Sequence, residues 1–339
     1  MKGRPLILSL MGFAVFAAMA TAFIWLRPQA LTKLVVADAS QPAFALIYIA
    51  NAKGFFADRG LEVSFRKFAS GREALKSVLK GQADVATVFE TPIIVNVGKG
   101  VGLKVLTALH SSTENTSMIA RRDRGIENAA DLVGKNIGVT LNTNAEFFLF
   151  RFLAIEGIPR EAVNIISLKP HEMTDAFTTG RVDAIATWNP HLYHARKLIP
   201  AKHLRYFSST AYTEISVLAA LAKTVVKKRA MFMGLVGALV EAEKYILNNS
   251  AEAIDITSRH LSGRLGDLIR ATWSGYTFRT GLSNTMLSLL TEEAKWYAER
   301  GSFPLTIPDF REFMEPSFLN EFNPTAVTVT FENFKQGIN

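Results

Sequence analysis

The sequence contains no cysteine in its 339 residues. This absence excludes structural disulfides, and it also excludes a lipidated N-terminal cysteine as a membrane attachment. Stability must therefore come from a packed core. With 49% hydrophobic residues the chain is long enough to bury a large core, and its length allows two compact units.

Strong charge clusters are also missing. Lys and Arg number 38 against 30 Asp and Glu, which gives a net charge of +8, but the basic runs at 121–124 and 227–229 are short and interrupted. A nucleic-acid-binding protein usually shows a continuous basic stripe or patch. We therefore expect no nucleic-acid partner, although the excess positive charge modestly favours encounter with anions.

Long hydrophobic runs are absent after residue 30, and one occurs before it. Lys2 and Arg4 precede an uncharged run over residues 5–26, in which small residues at 18, 20 and 22 suit signal peptidase. We predict that residues 1–30 are a signal peptide; a retained membrane anchor over 5–26 is the alternative, because the run is also long enough to span a bilayer. Either role exports the rest of the chain, and we expect it in the periplasm of a Gram-negative cell.

Two distant segments share one pattern, GQADVATVFETP at 81–92 and GRVDAIATWNPH at 180–191. Each runs from a glycine through an aspartate into an apolar strand, then an aromatic and a polar residue, then a proline at a helix start. Open α/β sheets bind ligands where the carboxyl ends of strands lead into helices. The repetition predicts two similar lobes that face each other across a cleft.

The rest of the chain alternates strands and helices, which favours an α/β fold of mostly parallel sheets flanked by helices. Ser70 and Glu73 have the spacing of a capping box at the start of one helix. A polar stretch near 110–116 predicts a crossing to the second lobe, and a strand at 215–222 predicts the return. From residue 224 the pattern is mainly helical. We predict that 34–112 and 217–339 form lobe 1, with a C-terminal helical block, and that 113–216 form lobe 2.

An ordered set of short motifs is similar to one known family. They are GFF at 54–56, SGREAL at 70–75, GQADVA at 81–86, DLVGKNIGV at 131–139, GRVDA at 180–184 and WNP at 188–190. Together they resemble the substrate-binding proteins of ABC importers, in particular the nitrate, sulfonate, taurine and thiamine-precursor binding proteins. The resemblance covers roughly residues 34–330. In this sequence Leu141-Asn142-Thr143-Asn144 replaces a glycine-rich turn of the family, which leaves the ligand open.

The resemblance implies the type II periplasmic-binding fold, in which two lobes joined by two crossing segments close on a small molecule without covalent chemistry. It also implies delivery to a membrane permease and its ATPase, by a monomer that needs no cofactor. Two alternatives stay open. An uncleaved anchor would suit a membrane-anchored ligand sensor, and pyrimidine-precursor synthases share the fold, although an export segment and the lack of cysteine argue against such an enzyme.

Candidate ligand contacts lie at strand ends and helix starts. The candidates are Ser40, Gln41, Phe44, Ser70, Gly71, Arg72, Phe89, Glu90 and Thr91 in the first lobe, and Thr140, Asn142, Thr143, Asn144, Trp188, Asn189 and Glu214 in or near the second. Helix N-termini favour anions, and the fork of an arginine suits a carboxylate or sulfonate. Simple capping, core packing and surface exposure are the competing roles.

The aromatic candidates would enclose an organic body, because a typical small-molecule site is largely apolar with a few polar groups that fix the ligand. Phe89 and Trp188 fit that role, and Glu90 would hold a cationic group. A ligand with a sulfonate, a carboxylate or a heteroaromatic ring is compatible with these residues. His191 and His194 lack the acidic partners of a metal site, so no metal is expected.

Overall fold

The computed structural model describes residues 31–208, 212–263 and 265–331. The predicted signal peptide or anchor at 1–30 lies outside these residues. In the part of the chain that is described, no helix has both the length and the apolar character needed to cross a membrane.

Eleven strands in the described ranges form two sheets. In chain order they are β1 Thr32–Asp38, β2 Leu61–Lys67, β3 Val85–Phe89, β4 Leu103–Ser112, β5 Thr116–Arg121, β6 Asn136–Val139, β7 Asn164–Ser167, β8 Ala184–Trp188, β9 Leu204–Phe207, β10 Glu214–Leu221 and β11 Thr277–Phe278. The first sheet has the order β11-β4-β10-β3-β1-β2, and the second has the order β7-β6-β8-β5-β9. Each sheet is the centre of one lobe.

The two-lobed α/β architecture is confirmed, with a correction to the predicted strand directions. The sheets are mixed: β1 runs parallel to β2 and β3, and β6 runs parallel to β7 and β8. Strands β5 and β10 are antiparallel to their neighbours on both sides. These two strands follow the crossings between lobes, so each enters its sheet from the cleft end rather than through a helical crossover. A parallel pair needs such a crossover.

Helices cover the sheets. They are α1 Ala45–Ala52, α2 Gly71–Leu79, α3 Glu90–Val97, α4 Asn144–Ile155, α5 Met173–Thr178, α6 His191–Leu198, α7 Ala222–Lys227, α8 Arg229–Asn248, α9 Ser250–His260, α10 Gly266–Thr272, α11 Asn284–Glu299 and α12 Ser317–Phe322. Helices α2, α3 and α4 matter most for the site, because each begins at the cleft, directly after a strand or its short loop.

The core is divided between the lobes. One large cluster of buried side chains joins the first sheet to α1 and to the C-terminal helices, and two smaller clusters fill the second lobe. Helix α11 contacts both lobes. Its Tyr297 hydroxyl donates to Glu146 Oε2 of α4 at 3.0 Å, and the ring of Trp296 lies 5.5 Å from that of Phe147. The C-terminal block therefore bridges the two lobes as well as packing on the first.

Candidate functional site

The two lobes meet at a small cavity. It is lined by residues from five strand-to-helix junctions, namely Gln41, Ser70, Gly71, Arg72, Phe89, Pro92, Thr143, Asn144 and Trp188. Its volume is about 10 Å³, roughly the space for one water molecule. Eight of these nine residues are sequence candidates, and the lobes are closed around them.

Two helices point their N-termini at this cavity from opposite lobes. Ser70 caps α2, since its hydroxyl accepts from the backbone N–H of Glu73 at 3.3 Å. Gly71 lets the helix start approach β3 closely, because a Cβ at this position would lie 3.0 Å from Val88 Cα. Thr143 precedes α4 on the other side. First-turn N–H groups lack intrahelical acceptors, so both helix starts favour negative charge.

Two buried polar atoms, each on a residue that lines the cavity, have no hydrogen-bond partner among the described residues. They are the amide oxygen of Gln41 and the indole N–H of Trp188, whose residues are 3% and 2% exposed. Most buried polar groups in proteins are paired, and leaving one unpaired costs free energy. An acceptor from lobe 1 and a donor from lobe 2 are therefore available to a molecule held between them.

The aromatic candidates share this cavity but are also packed. Phe89 contacts Phe44, with ring centroids 5.6 Å apart, and both are buried in the core of lobe 1. Trp188 is the last residue of β8 and belongs to the core of lobe 2. Phe89 and Trp188 therefore each belong to the core of a lobe and also line the cavity, and their contact with a ligand stays a prediction.

Arg72 joins the lobes directly. Its Nη1 donates to the backbone carbonyl of Leu141 at 2.9 Å, which is a contact from α2 of lobe 1 to the loop before α4. Asn142 in this loop takes a left-handed φ of 58°, as an asparagine tolerates, and its N–H donates to Glu146 Oε2. Asn142 lines an outer groove rather than the cavity.

Glu214 lies between the two crossing segments. Its carboxylate accepts from Asn115 Nδ2 at 2.7 Å, from the Thr116 hydroxyl and from Asn144 Nδ2 at 3.1 Å. His110 Nε2 is 3.3 Å away but lies off the hydrogen-bond direction. Because Asn144 also lines the cavity, Glu214 connects the cavity wall to both crossings without lining the cavity itself.

Glu90 holds the return crossing to lobe 1. It accepts from the Tyr212 hydroxyl and from the backbone N–H of Ile215. Burial raises the pKa of Glu90 to about 8, against the opposing effect of the Tyr212 hydrogen bond. Burial, reinforced by the charge of Glu90, also raises the pKa of Glu293, which accepts from the Thr91 hydroxyl. Glu90 and Thr91 thus face buried protein groups.

The remaining candidates are tied to neighbouring backbone. Ser40, with a φ of 51°, donates its N–H to the side chain of Asp38. The Thr140 hydroxyl donates to the carbonyl of Leu168, and the N–H of Asn189 donates to the carbonyl of Asn115. Pro92 lines the cavity but was not among the predicted contacts, although it closes the first repeated motif. Tyr212 and Glu293 were also missed, and no local pattern distinguishes a buried interlobe tyrosine or glutamate.

A larger pocket, of about 360 Å³, lies on the outer edge of the first sheet between β4, β11 and the segment 325–328. None of the sequence candidates lines it. Among the described residues, no group of three or more His, Asp or Glu side chains is arranged to hold a metal ion. The interlobe cavity is the better candidate, because both lobes and the unpaired atoms converge there.

Comparison with known proteins agrees with this geometry. The sequence model described as NMT1/THI5 like matches residues 41–253, which is most of both lobes. The chain belongs to the NMT1/THI5-like family. Two relatives with curated names are a putative aliphatic sulfonates-binding protein of Bacillus subtilis, 28% identical over 45% of this chain and 47% of the relative, and the taurine-binding periplasmic protein of Escherichia coli, 27% identical over 50% and 52%.

These alignments span about half the length of the curated relatives. Among solved structures, the alkanesulfonate-binding protein from Xanthomonas axonopodis pv. citri bound to MOPS superposes with a TM-score of 0.71 at 18% identity, covering 84% of this chain and 98% of that one. At this identity the superposition shows a shared fold. The NMT1/THI5-like chain thus has the two-lobed fold of periplasmic binding proteins.

Proposed function

We propose that this protein is the solute-binding component of an ABC importer and captures a small organic anion of the sulfonate or taurine type between its lobes. The observation that carries the proposal is the pair of unpaired buried atoms at the cavity, Gln41 Oε1 and Trp188 Nε1. Their residues line the same cavity as the first residues of α2 and α4, where negative charge is favoured. A ligand contacting both lobes stabilises the closed form over the open one.

The names of the relatives support the same ligand class, since they include binders of aliphatic sulfonates and taurine. In this proposal Trp188 donates its N–H to an oxygen of the anionic group, and Gln41 accepts from an N–H of the ligand or of a bridging water. The protein then presents its cargo to a membrane permease and its ATPase, in the periplasm and as a monomer. No cofactor takes part, because binding and release need no covalent step.

A ligand panel tests the proposal. Thermal shift and calorimetry with taurine, ethanesulfonate, MOPS, nitrate and an aminopyrimidine should show a higher unfolding midpoint with at least one sulfonate, because a ligand selective for the folded state stabilises it. Failure of every sulfonate to bind would contradict the proposed class. Binding of the aminopyrimidine alone would assign the site to the thiamine-precursor group.

Trp188→Phe sharpens the panel. The ring is retained and the N–H is lost, so affinity for the sulfonate should fall about tenfold, which corresponds to roughly 1.4 kcal/mol for one hydrogen bond to a charged group. Trp296→Phe is the matched control, since this tryptophan of α11 packs on Phe147 and Phe150 of α4 and does not line the cavity. Equal affinities in Trp188→Phe and the unaltered protein would remove Trp188 Nε1 from the binding site.

A further inference from the structure

A second, larger concavity adjoins the interlobe cavity on the outside. This groove has a volume of about 580 Å³ and lies between α2 and α3, with Asn142 of lobe 2 at its edge. Helix α2 contributes Arg72, Glu73, Lys76 and Leu79, and α3 with the turn after it contributes Pro92, Val95, Asn96 and Lys99. We call it the α2–α3 groove.

The α2–α3 groove carries an excess of positive charge over an apolar floor. Three of its side chains are cations and one, Glu73, is an anion. Lys76 and Lys99 are exposed, and neither forms an ion pair with a described residue. Leu79 and Val95 are half-buried between them. An organic anion with a short apolar body matches this combination, because its charged group would interact with the lysines and its carbon chain would pack on the apolar residues.

The groove and the interlobe cavity share part of their lining. Arg72 and Pro92 line both, so they form the boundary between the outer groove and the inner cavity. At this boundary Arg72 donates to the Leu141 carbonyl of the opposite lobe, so a contact between the lobes lies where the groove and the cavity meet. A molecule that leaves or reaches the cavity by this side must pass Arg72.

From these three observations we infer that the α2–α3 groove is the encounter site and access route for an organic anion, with Lys76 and Lys99 attracting it and Arg72 closing behind it. The access role rests on the proposed function; the anion site does not. Clefts lined by one sign of charge concentrate counter-ions and raise association rates tenfold to a thousandfold, with a strong dependence on salt.

The absence of cysteine allows a direct test of the anion site. In Val95→Cys the introduced thiol is unique and lies in the groove. The thiol is reacted with two methanethiosulfonate reagents, one with an anionic sulfonatoethyl group and one with a cationic trimethylammonioethyl group, and the two reaction rates are compared. At low ionic strength the anionic-to-cationic rate ratio should fall about tenfold or more when Lys76→Glu and Lys99→Glu are added. The control variant carries Lys223→Glu and Lys227→Glu, at two exposed positions of α7 at the far end of β10. It makes the same charge change and should leave the rate ratio nearly unaltered.

Stopped-flow fluorescence with ethanesulfonate then tests the access role. Lys76→Glu with Lys99→Glu should lower the association rate constant about tenfold at low salt and leave the dissociation rate constant unchanged. An unchanged reagent ratio overturns the anion site. A changed ratio with an unchanged association rate overturns the access route. If no sulfonate binds at equilibrium, the proposed function fails and, with it, the access role; the reagent ratio still decides the anion site.

Discussion

The two lobes use one motif in the same way up to the end of a strand and differ after it. Asp84 in lobe 1 accepts from the backbone N–H of Val35 at 2.9 Å and pairs with Lys228. Asp183 in lobe 2 accepts from the N–H of Asn136 at 3.0 Å and pairs with Arg124. Each aspartate thereby fixes its own strand beside the start of a parallel neighbour.

After the strands the lobes diverge. Phe89 is followed by Glu90, whose buried carboxyl group holds the return crossing, whereas Trp188 is followed by Asn189, which bonds the first crossing through its backbone. Trp188 has an unpaired N–H at the cavity, and Phe89 has none to offer. The comparison shows that the motif encodes the scaffold and that the residue after each aromatic holds a crossing segment. In the proposed function the aromatic residue of lobe 2, Trp188, also supplies the hydrogen-bond donor for the ligand.

The largest expected effect comes from replacing the carboxyl group of Glu90 in lobe 1 with an amide, as Asn189 has at the matching position of lobe 2. Burial raises the pKa of Glu90 from 4.5 to about 8, so the folded protein keeps a proton that the unfolded chain releases above pH 4.5. Its contribution to stability is complete below that pH and is lost as the pH rises to about 8. Between these two pH values, Glu90 lowers the unfolding free energy by up to about 1.4 kcal/mol per pH unit.

Glu90→Gln should therefore flatten the pH dependence of the unfolding free energy, measured by urea titration between pH 5 and 8. Glu293, whose pKa is also raised by burial, leaves a residual slope. The exposed Glu62→Gln serves as the control and should keep the original slope. A Glu90→Gln variant as pH-dependent as the unaltered protein would show that Glu90 titrates normally in the folded state.

The next effect tests whether the two aspartates are equivalent. Asp84→Ala and Asp183→Ala each leave a strand N–H unsatisfied and break an ion pair, so each should lower the unfolding free energy by about 2 kcal/mol. The exposed Asp58→Ala is the control and should cost little. Denaturant midpoints measure all three. If the losses of unfolding free energy in Asp84→Ala and Asp183→Ala differ by more than about twofold, the two aspartates are not equivalent.

The smallest effect concerns the contact across the lobes. Arg72→Ala removes the bond from Nη1 to the Leu141 carbonyl, which weakens closure by about 1 kcal/mol and should raise the ligand dissociation rate about fivefold. Arg66→Ala is a matched control, because Arg66 Nη1 donates to the Gln82 carbonyl at 2.9 Å within lobe 1 alone. Stopped-flow displacement measures both variants. Equal dissociation rates would show that Arg72 does not hold the lobes together.

Much of this site follows from local pattern. The glycine-aspartate-strand-aromatic order predicted the two strand ends, and eight candidate residues meet at one cavity because strand ends and helix starts are local features that a two-lobed fold brings together. Strand direction was harder to predict. The sequence marks β5 and β10 as strands, but only the crossings between lobes make them antiparallel to their neighbours.

The amino-acid sequence alone determined the two repeated units, the order of their elements and the Ser70 cap of α2, because these depend on residues close together in the chain. Only the tertiary structure decided the roles of Glu90, Glu214 and Arg72. Each had a plausible ligand-binding role from its neighbours in sequence. Their actual partners, Tyr212, Asn115 and Leu141, are distant in sequence, and burial between the lobes sets the energy of those contacts.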